Sequence, residues 1–154
     1  MPICKHEDFL LSTKNYRNLL GIDHGSKYIG IAISHKELFV ATPLKTIVRK
    51  KQQYDFDELI KIIKENDVGG IVVGLPLNMN GTRGPRCQSV ETFFRNFLKL
   101  NDIPLLFQDE RMSSQAVEKI FISHNVSRKK RSLNIDKHAA CWILQSALDF
   151  LKKR

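Results

Sequence analysis

The chain has 154 residues, 42% hydrophobic and 27% charged, and carries 25 Lys and Arg against 16 Asp and Glu, a formal charge of +9 with a pI near 9.6. This length suits one compact domain with a real core and leaves no room for two domains clasping a ligand between them. The positive excess asks for a polyanionic partner, whereas no stretch approaches the ~20 apolar residues of a membrane span and the first residues lack a signal-peptide core, so the expected location is the cytoplasm.

The first sixteen residues are polar enough to read as a frayed extension, possible disorder included, ahead of a single domain over 17–154. Arg17 to Asp23 reads as a buried strand. After the short turn HGSK, Tyr28 to Ser34 alternates Ile29, Ile31 and Ile33 with Gly30 and Ala32, one bulky face and one very small one. Antiparallel pairing of the two is expected, and the small face would let a helix approach the sheet closely. A third strand fits Phe39 to Val48. Asp55 with Glu58 three residues on resembles a capping box, opening a helix with a stripe of Phe56, Leu59, Ile60 and Ile63 that ends near Asn66 and Asp67.

GGIVVGLP, Gly69 to Pro76, is apolar on both sides, as a strand covered on two faces should be. Val90, Phe93, Phe94, Phe97 and Leu98 mark the next helix, Ile103 to Arg111 the next strand, Ser113 or Ser114 through Phe121 a shorter helix, and Asp136 to about Lys152 the last one. The expected fold is therefore α/β: a mixed five-stranded sheet, a three-stranded antiparallel meander plus two parallel strands, flanked by helices. Right-handed crossovers bring the carboxyl ends of the parallel strands to one sheet edge, where such folds bind ligands. That edge collects Asp23, the loop Asn78 to Arg83, and Asp109 with Glu110.

Three cysteines and five histidines show neither a disulfide framework nor zinc-ligand spacing. The acids are more telling. Asp23 could simply form a turn beside Gly25; a carboxylate at the mouth of a buried strand is otherwise costly unless a cation compensates it, and a hard divalent ion suits oxygen ligands. Glu110 leaves an apolar strand at the same edge. Strand alternation lets only one of Asp109 and Glu110 face a shared site easily, and the longer Glu110 is the better reach. Asp136 reads as an N-cap, on a face that is small near the acid and could carry it toward Asp23. Three carboxylates around one or two Mg²⁺ or Mn²⁺ ions is an arrangement that hydrolyses phosphodiesters.

VGLPLNMNGTRG, Val73 to Gly84, is neither a Walker loop nor G-x-G-x-x-G, and its donors Asn78, Asn80, Thr82 and Arg83 suit phosphate or sugar contacts. Lys27 in the first turn, Arg111 beside Glu110, and the basic run Arg128, Lys129, Lys130, Arg131, read as a loop able to close over nucleic acid, extend that candidate surface. D-x-G-S also resembles the phosphate-gripping turn of actin-like ATPases, which need a second lobe to enclose ATP.

Taken together, GIDHGSKYIGIAIS, VGLPLNMNGTRG, QDERMSS and NIDKHAA resemble, in that order, the segments of the YqgF family, also called RuvX. The resemblance runs from about Arg17 to the C-terminus. It implies a ribonuclease H-like fold and a nuclease maturing the 5′ end of pre-16S rRNA, an assignment shared historically with Holliday junction resolution. Partners would be structured RNA or branched DNA, with ribosomal precursor particles, for a monomer or a homodimer; a noncatalytic nucleic-acid-binding domain is the alternative of another class. By position Asp23, Glu110 and Asp136 match the family's metal-binding acids, while Asn80 departs from the Asp usual in its N-M-D-G motif. Glu110 falls two strands from Asp23, roughly 10 Å away, so the site is expected to tighten on metal and RNA.

Overall fold

The computed structural model describes residues 3–13, 18–35, 40–78, 80–109 and 128–152. In chain order the elements are β1 (Ile3–Cys4), α1 (His6–Thr13), β2 (Asn18–His24), β3 (Tyr28–Ser34), β4 (Ala41–Val48), α2 (Gln52–Glu65), β5 (Val68–Leu75), α3 (Pro85–Leu100), β6 (Leu105–Asp109) and α4 (Arg128–Lys152). The sheet runs β1-β6-β5-β2-β3-β4. The meander β2-β3-β4 is antiparallel, and β5 and β6 extend it in parallel from the other side of β2. The five expected strands are thus present, with two-residue β1 added in parallel at the β6 edge.

Strand alternation divides the core in two. Leu20, Ile22, Ile29, Ile31, Ile71 and Val73 face α2 and α3 and meet Phe56, Leu59, Phe93, Phe94 and Phe97. The aromatic rings of this layer pack edge to face, with Phe56 and Phe93 centroids 4.8 Å apart and Phe93 and Phe94 5.0 Å apart, a favoured quadrupole geometry. Leu19, Ala32, Val72 and Leu106 face the other way, onto Phe9 of α1 and Ala140, Ile143, Leu144, Ala147 and Leu148 of α4.

The small face predicted for β3 does receive a helix, and Gly21 shows how closely. A Cβ there would lie 2.5 Å from Leu144 Cβ and 2.7 Å from the Ala140 carbonyl oxygen. Glycine on β2 and alanine on β3 let the α4 backbone ride almost on the sheet. Its direction follows from two anchors. Ala41 N–H donates to Gln145 Oε1 at 2.9 Å, at the sheet row Leu19–Ser34–Ala41, whereas Ala140 and Leu144 sit over Gly21, in the row Gly21–Ala32–Pro43. Toward its N-terminus, α4 therefore travels toward the carboxyl end of β2.

Several expectations need correction. Residues 3–13 are packed structure where a frayed extension was expected: Phe9 and Thr13, one helical turn apart, are both buried, and a Cβ on Gly70 would strike Thr13 Cγ2 at 2.6 Å. Average polarity conceals such a two-residue buried face, in which the Thr13 hydroxyl is satisfied by the Phe9 carbonyl. The capping box fails too, because α2 begins at Gln52, among good helix formers, and Asp55 lies inside it. Helix α4 begins eight residues before Asp136, so Asp136 is not its N-cap and Arg128, Lys129, Lys130 and Arg131 belong to its first turn rather than to a loop. Lys and Arg favour helix, and neither Gly nor Pro interrupts 128–152. The helix expected from Ser113 or Ser114 to Phe121 lies outside the described residues.

Candidate active site

Asp23 and His24 end β2 and, as neighbours on a strand, serve opposite faces. Asp23 is 8% exposed and shares its face with Leu19 and Gly21, the face covered by α4. Its partner on β3 is Gly30, and one step beyond the Ile22–Val73 pair on β5 stands Gly74. Both strand neighbours are glycines, so the side chains nearest the carboxylate come from elsewhere in the fold. A carboxylate is a hard oxygen donor, the kind that Mg²⁺ or Mn²⁺ prefers.

Of the acids expected to join it, Asp136 lies in α4, one turn N-terminal to Ala140, and Glu110 lies outside the described residues. Among the described residues no three His, Cys, Asp or Glu side chains form a metal-sized group. Asp109 ends β6 at the position paired with Leu75, in the alternation that puts Leu105 and Phe107 toward α3, the face opposite Asp23. Strand alternation thus puts Asp109 on the sheet face opposite Asp23.

His24 was not singled out as a site residue; its ring enters the other layer. It packs 4.4 Å from the Phe93 ring, and Arg86 Nη2 donates to its carbonyl oxygen and lies 3.5 Å from Nδ1. A guanidinium offers only donors, which favours the tautomer with the proton on Nε2, a buried atom with no hydrogen-bond partner among the described residues. Burial, reinforced by the charges of Arg49 and Arg86, lowers this imidazole from 6.5 to about 3. Beside it Arg49 bonds to Asp55 Oδ2 at 3.2 Å and to the Gly25 carbonyl at 2.9 Å, while Asp55 Oδ1 accepts from Lys50 N–H at 3.0 Å. Asp55 is fully buried, so this network locks the β4–α2 junction to the turn that follows Asp23.

Lys27 is exposed in that turn. The loop after β5 is organised from within. Asn78 N–H donates to Thr82 O at 2.9 Å, Asn78 Nδ2 to Thr82 Oγ1 at 3.0 Å, and both Thr82 N–H and Oγ1 donate to Asn80 Oδ1, at 3.1 and 2.7 Å. Gly81 supplies the left-handed residue, φ 86°. Because Asn80 acts through its carbonyl oxygen, an Asp would serve equally, and the departure from N-M-D-G leaves the loop intact. Arg83 pairs with Glu91 Oε1 at 3.2 Å, a carboxylate that also faces Arg95 and accepts from the buried Cys87 thiol. Burial and this carboxylate both push the Cys87 thiol up. Arg111 lies outside the described residues, and Arg128, Lys129, Lys130 and Arg131 are described only as turns of α4.

Residues 17–150 match the family model described as "RuvX: Holliday junction resolvase". The chain is 46% identical over 146 residues to a protein of Ruegeria sp. strain TM1040, covering 95% of this chain and 93% of that one, and 45% identical over 146 residues to one of Ruegeria pomeroyi, covering 95% of each. Both bear the name "Putative pre-16S rRNA nuclease". Among solved structures it is similar to Thermus thermophilus RuvC in complex with a Holliday junction substrate, at a TM-score of 0.53 and 12% identity, covering 85% of this chain and 93% of that one. At that identity the likeness speaks for the fold, which is ribonuclease H-like.

Proposed function

Since the chain belongs to the RuvX family of nucleases, we propose that it is a divalent-metal-dependent endonuclease that cleaves structured RNA and matures the 5′ end of pre-16S rRNA. The observation that carries this reading is the buried Asp23 at the mouth of β2, on the face over which α4 advances toward it. From Ala140 to Asp136 the helix rises ~6 Å, and from Gly21 to Asp23 the strand rises ~6.6 Å in the same direction. These matching rises support reading Asp23 and Asp136 as members of one site. Glu110, immediately after β6, is the third acid proposed.

Asp23, Glu110 and Asp136 would hold Mg²⁺ or Mn²⁺, which supplies Lewis-acid polarisation of the phosphodiester and offsets charge building on its oxygens. The chain's own contribution is placement. The α4 backbone pressed onto Gly21 covers the inner side of Asp23, which is buried. Lys27, Arg111, the loop Asn78, Asn80, Thr82 and Arg83, and the basic first turn of α4, Arg128, Lys129, Lys130 and Arg131, grip the backbone without reading sequence. Ribosomal precursor particles in the cytoplasm are the proposed setting. No helix among the described residues is long and apolar enough to cross a membrane.

The family description favours a second reading, resolution of four-way DNA junctions. Incubating wild type and Asp23→Asn with labelled pre-16S rRNA and with a four-way junction, with and without Mg²⁺, separates the two. We expect Mg²⁺-dependent cleavage of the rRNA precursor, with turnover lost and binding kept in Asp23→Asn. Cleavage by the variant at the wild-type rate would remove Asp23 from the mechanism, and junction cleavage alone would select the second reading.

A further inference from the structure

On the side of β2 opposite Asp23, a groove of about 660 Å³ opens between the turn after β2, the β4–α2 junction and the first turns of α3. Its walls carry His24, Arg49, Gln52, Arg86, Gln88 and Ser89. We propose that this groove holds a backbone phosphate of the bound nucleic acid other than the one being cleaved, so that one strand is gripped on both sides of the β2 terminus. The proposal rests on the nuclease reading for its ligand and on independent observations for its site.

The first observation is charge. Two guanidiniums line the groove, and Asp55, the acid that pairs with Arg49, is already engaged by it and by Lys50 N–H. Both forks are fixed, Arg49 by Asp55, the Gly25 carbonyl and the Phe93 ring 5.4 Å below it, and Arg86 by the His24 carbonyl. Fixed guanidinium forks suit phosphate, since little side-chain entropy remains to be lost. The second is the end of α3. Its cap residue is Gly84, which has no side chain to accept from the first-turn N–H groups, and Pro85 occupies the first position. The positive end of a sixteen-residue helix therefore meets the groove without a side-chain acceptor of its own.

The third observation separates this groove from an ordinary helix terminus. His24 lines the groove, is 4% exposed, and its Nε2 is buried with no hydrogen-bond partner among the described residues. A buried donor left unmatched costs stability, and a ligand oxygen entering here would match it. Since His24 directly follows Asp23, a phosphate in the groove would position the strand relative to the cleavage centre.

The test is the salt dependence of binding, measured with a fluorescently labelled RNA stem-loop in the Asp23→Asn background, where nothing is cut. Removing one phosphate contact lowers the slope of log K against log salt by ~0.7–0.9. Arg86→Gln is expected to show that drop together with roughly tenfold weaker binding at low salt. Ser89→Glu places a carboxylate on the exposed rim, at the fifth residue of α3, and should do the same. Lys61→Gln, on the exposed face of α2, removes the same charge as Arg86→Gln, away from the groove. Equal slopes for Arg86→Gln and Lys61→Gln would overturn the groove. Inorganic phosphate that shifts the amide resonances of Arg86 to Ser89 while leaving RNA affinity unchanged would assign the groove to a free anion and also overturn it. These readouts do not depend on cleavage, so they fail separately from the nuclease reading.

Discussion

Replacing Gly21 by alanine tests how the helix and the site depend on one another. The added Cβ would stand 2.5 Å from Leu144 Cβ and 2.7 Å from Ala140 O, atoms of the helix itself that no rotamer change can withdraw. Ordinary contact begins at 3.4 Å, so α4 must lift by about 1 Å, and overpacking of this kind costs ~1–3 kcal/mol. If Asp136 joins Asp23 as proposed, the same displacement would separate the two, and a 1 Å misplacement of catalytic groups can cost about 10²-fold in rate. Gly70→Ala is the matched control. Its Cβ would meet the side-chain ends Thr13 Cγ2, Leu19 Cδ2 and Phe9 Cζ at 2.6 to 3.0 Å, loosening α1, which bears none of the proposed acids. Urea unfolding and Mg²⁺-dependent cleavage of labelled pre-16S rRNA should show both variants destabilised and only Gly21→Ala slow in turnover at folded concentrations. Wild-type stability and rate in Gly21→Ala would refute the close helix contact; lost stability with a full rate would refute the dependence of the acid site on α4.

Two further predictions concern the network around His24. Its imidazole titrates near 3 in the folded chain against 6.5 unfolded, so between these values the unfolded state binds a proton that the folded state refuses. Stability is fully present above 6.5 and falls with pH through that window, by about 2 kcal/mol from pH 7.5 to 5; His24→Phe should flatten this stretch of the urea-midpoint profile, and an unchanged slope would show that His24 is not its source. Asp55→Ala removes the carboxylate that holds Arg49 and Lys50 N–H. Arg49 keeps some contact with water, so the expected loss is about 2–3 kcal/mol, below the usual figure for a fully buried pair; a urea midpoint within error of wild type would show the pair to be dispensable.

The order of elements from β2 to β6 was legible in the residues because its signals are local. Ile alternation in Tyr28–Ser34, the uninterrupted apolar run of β5 and the Phe stripe of α3 each report a period within one element. Chemistry at a strand end was legible as well, since a carboxylate after an apolar run is costly to bury, and so Asp23 stood out. His24 did not, because nothing next to it in the chain reveals that Phe93 and Arg86, some 60 to 70 positions away, enclose its ring. Asp55 shows the same limit: spacing alone makes it a helix cap, and only contact with Arg49 makes it an ion-pair partner.

The chain by itself determined which segments are strands and helices and which acids are costly to bury, because periodicity and desolvation act residue by residue. Tertiary structure alone decided that α4 extends eight residues before Asp136, that residues 3–13 complete the sheet edge and the second core, and that Gly21 is the point where helix and sheet touch. Those outcomes depend on the fit of two surfaces far apart in sequence. A glycine records such a fit only as a missing side chain, whose meaning appears when its neighbour is known.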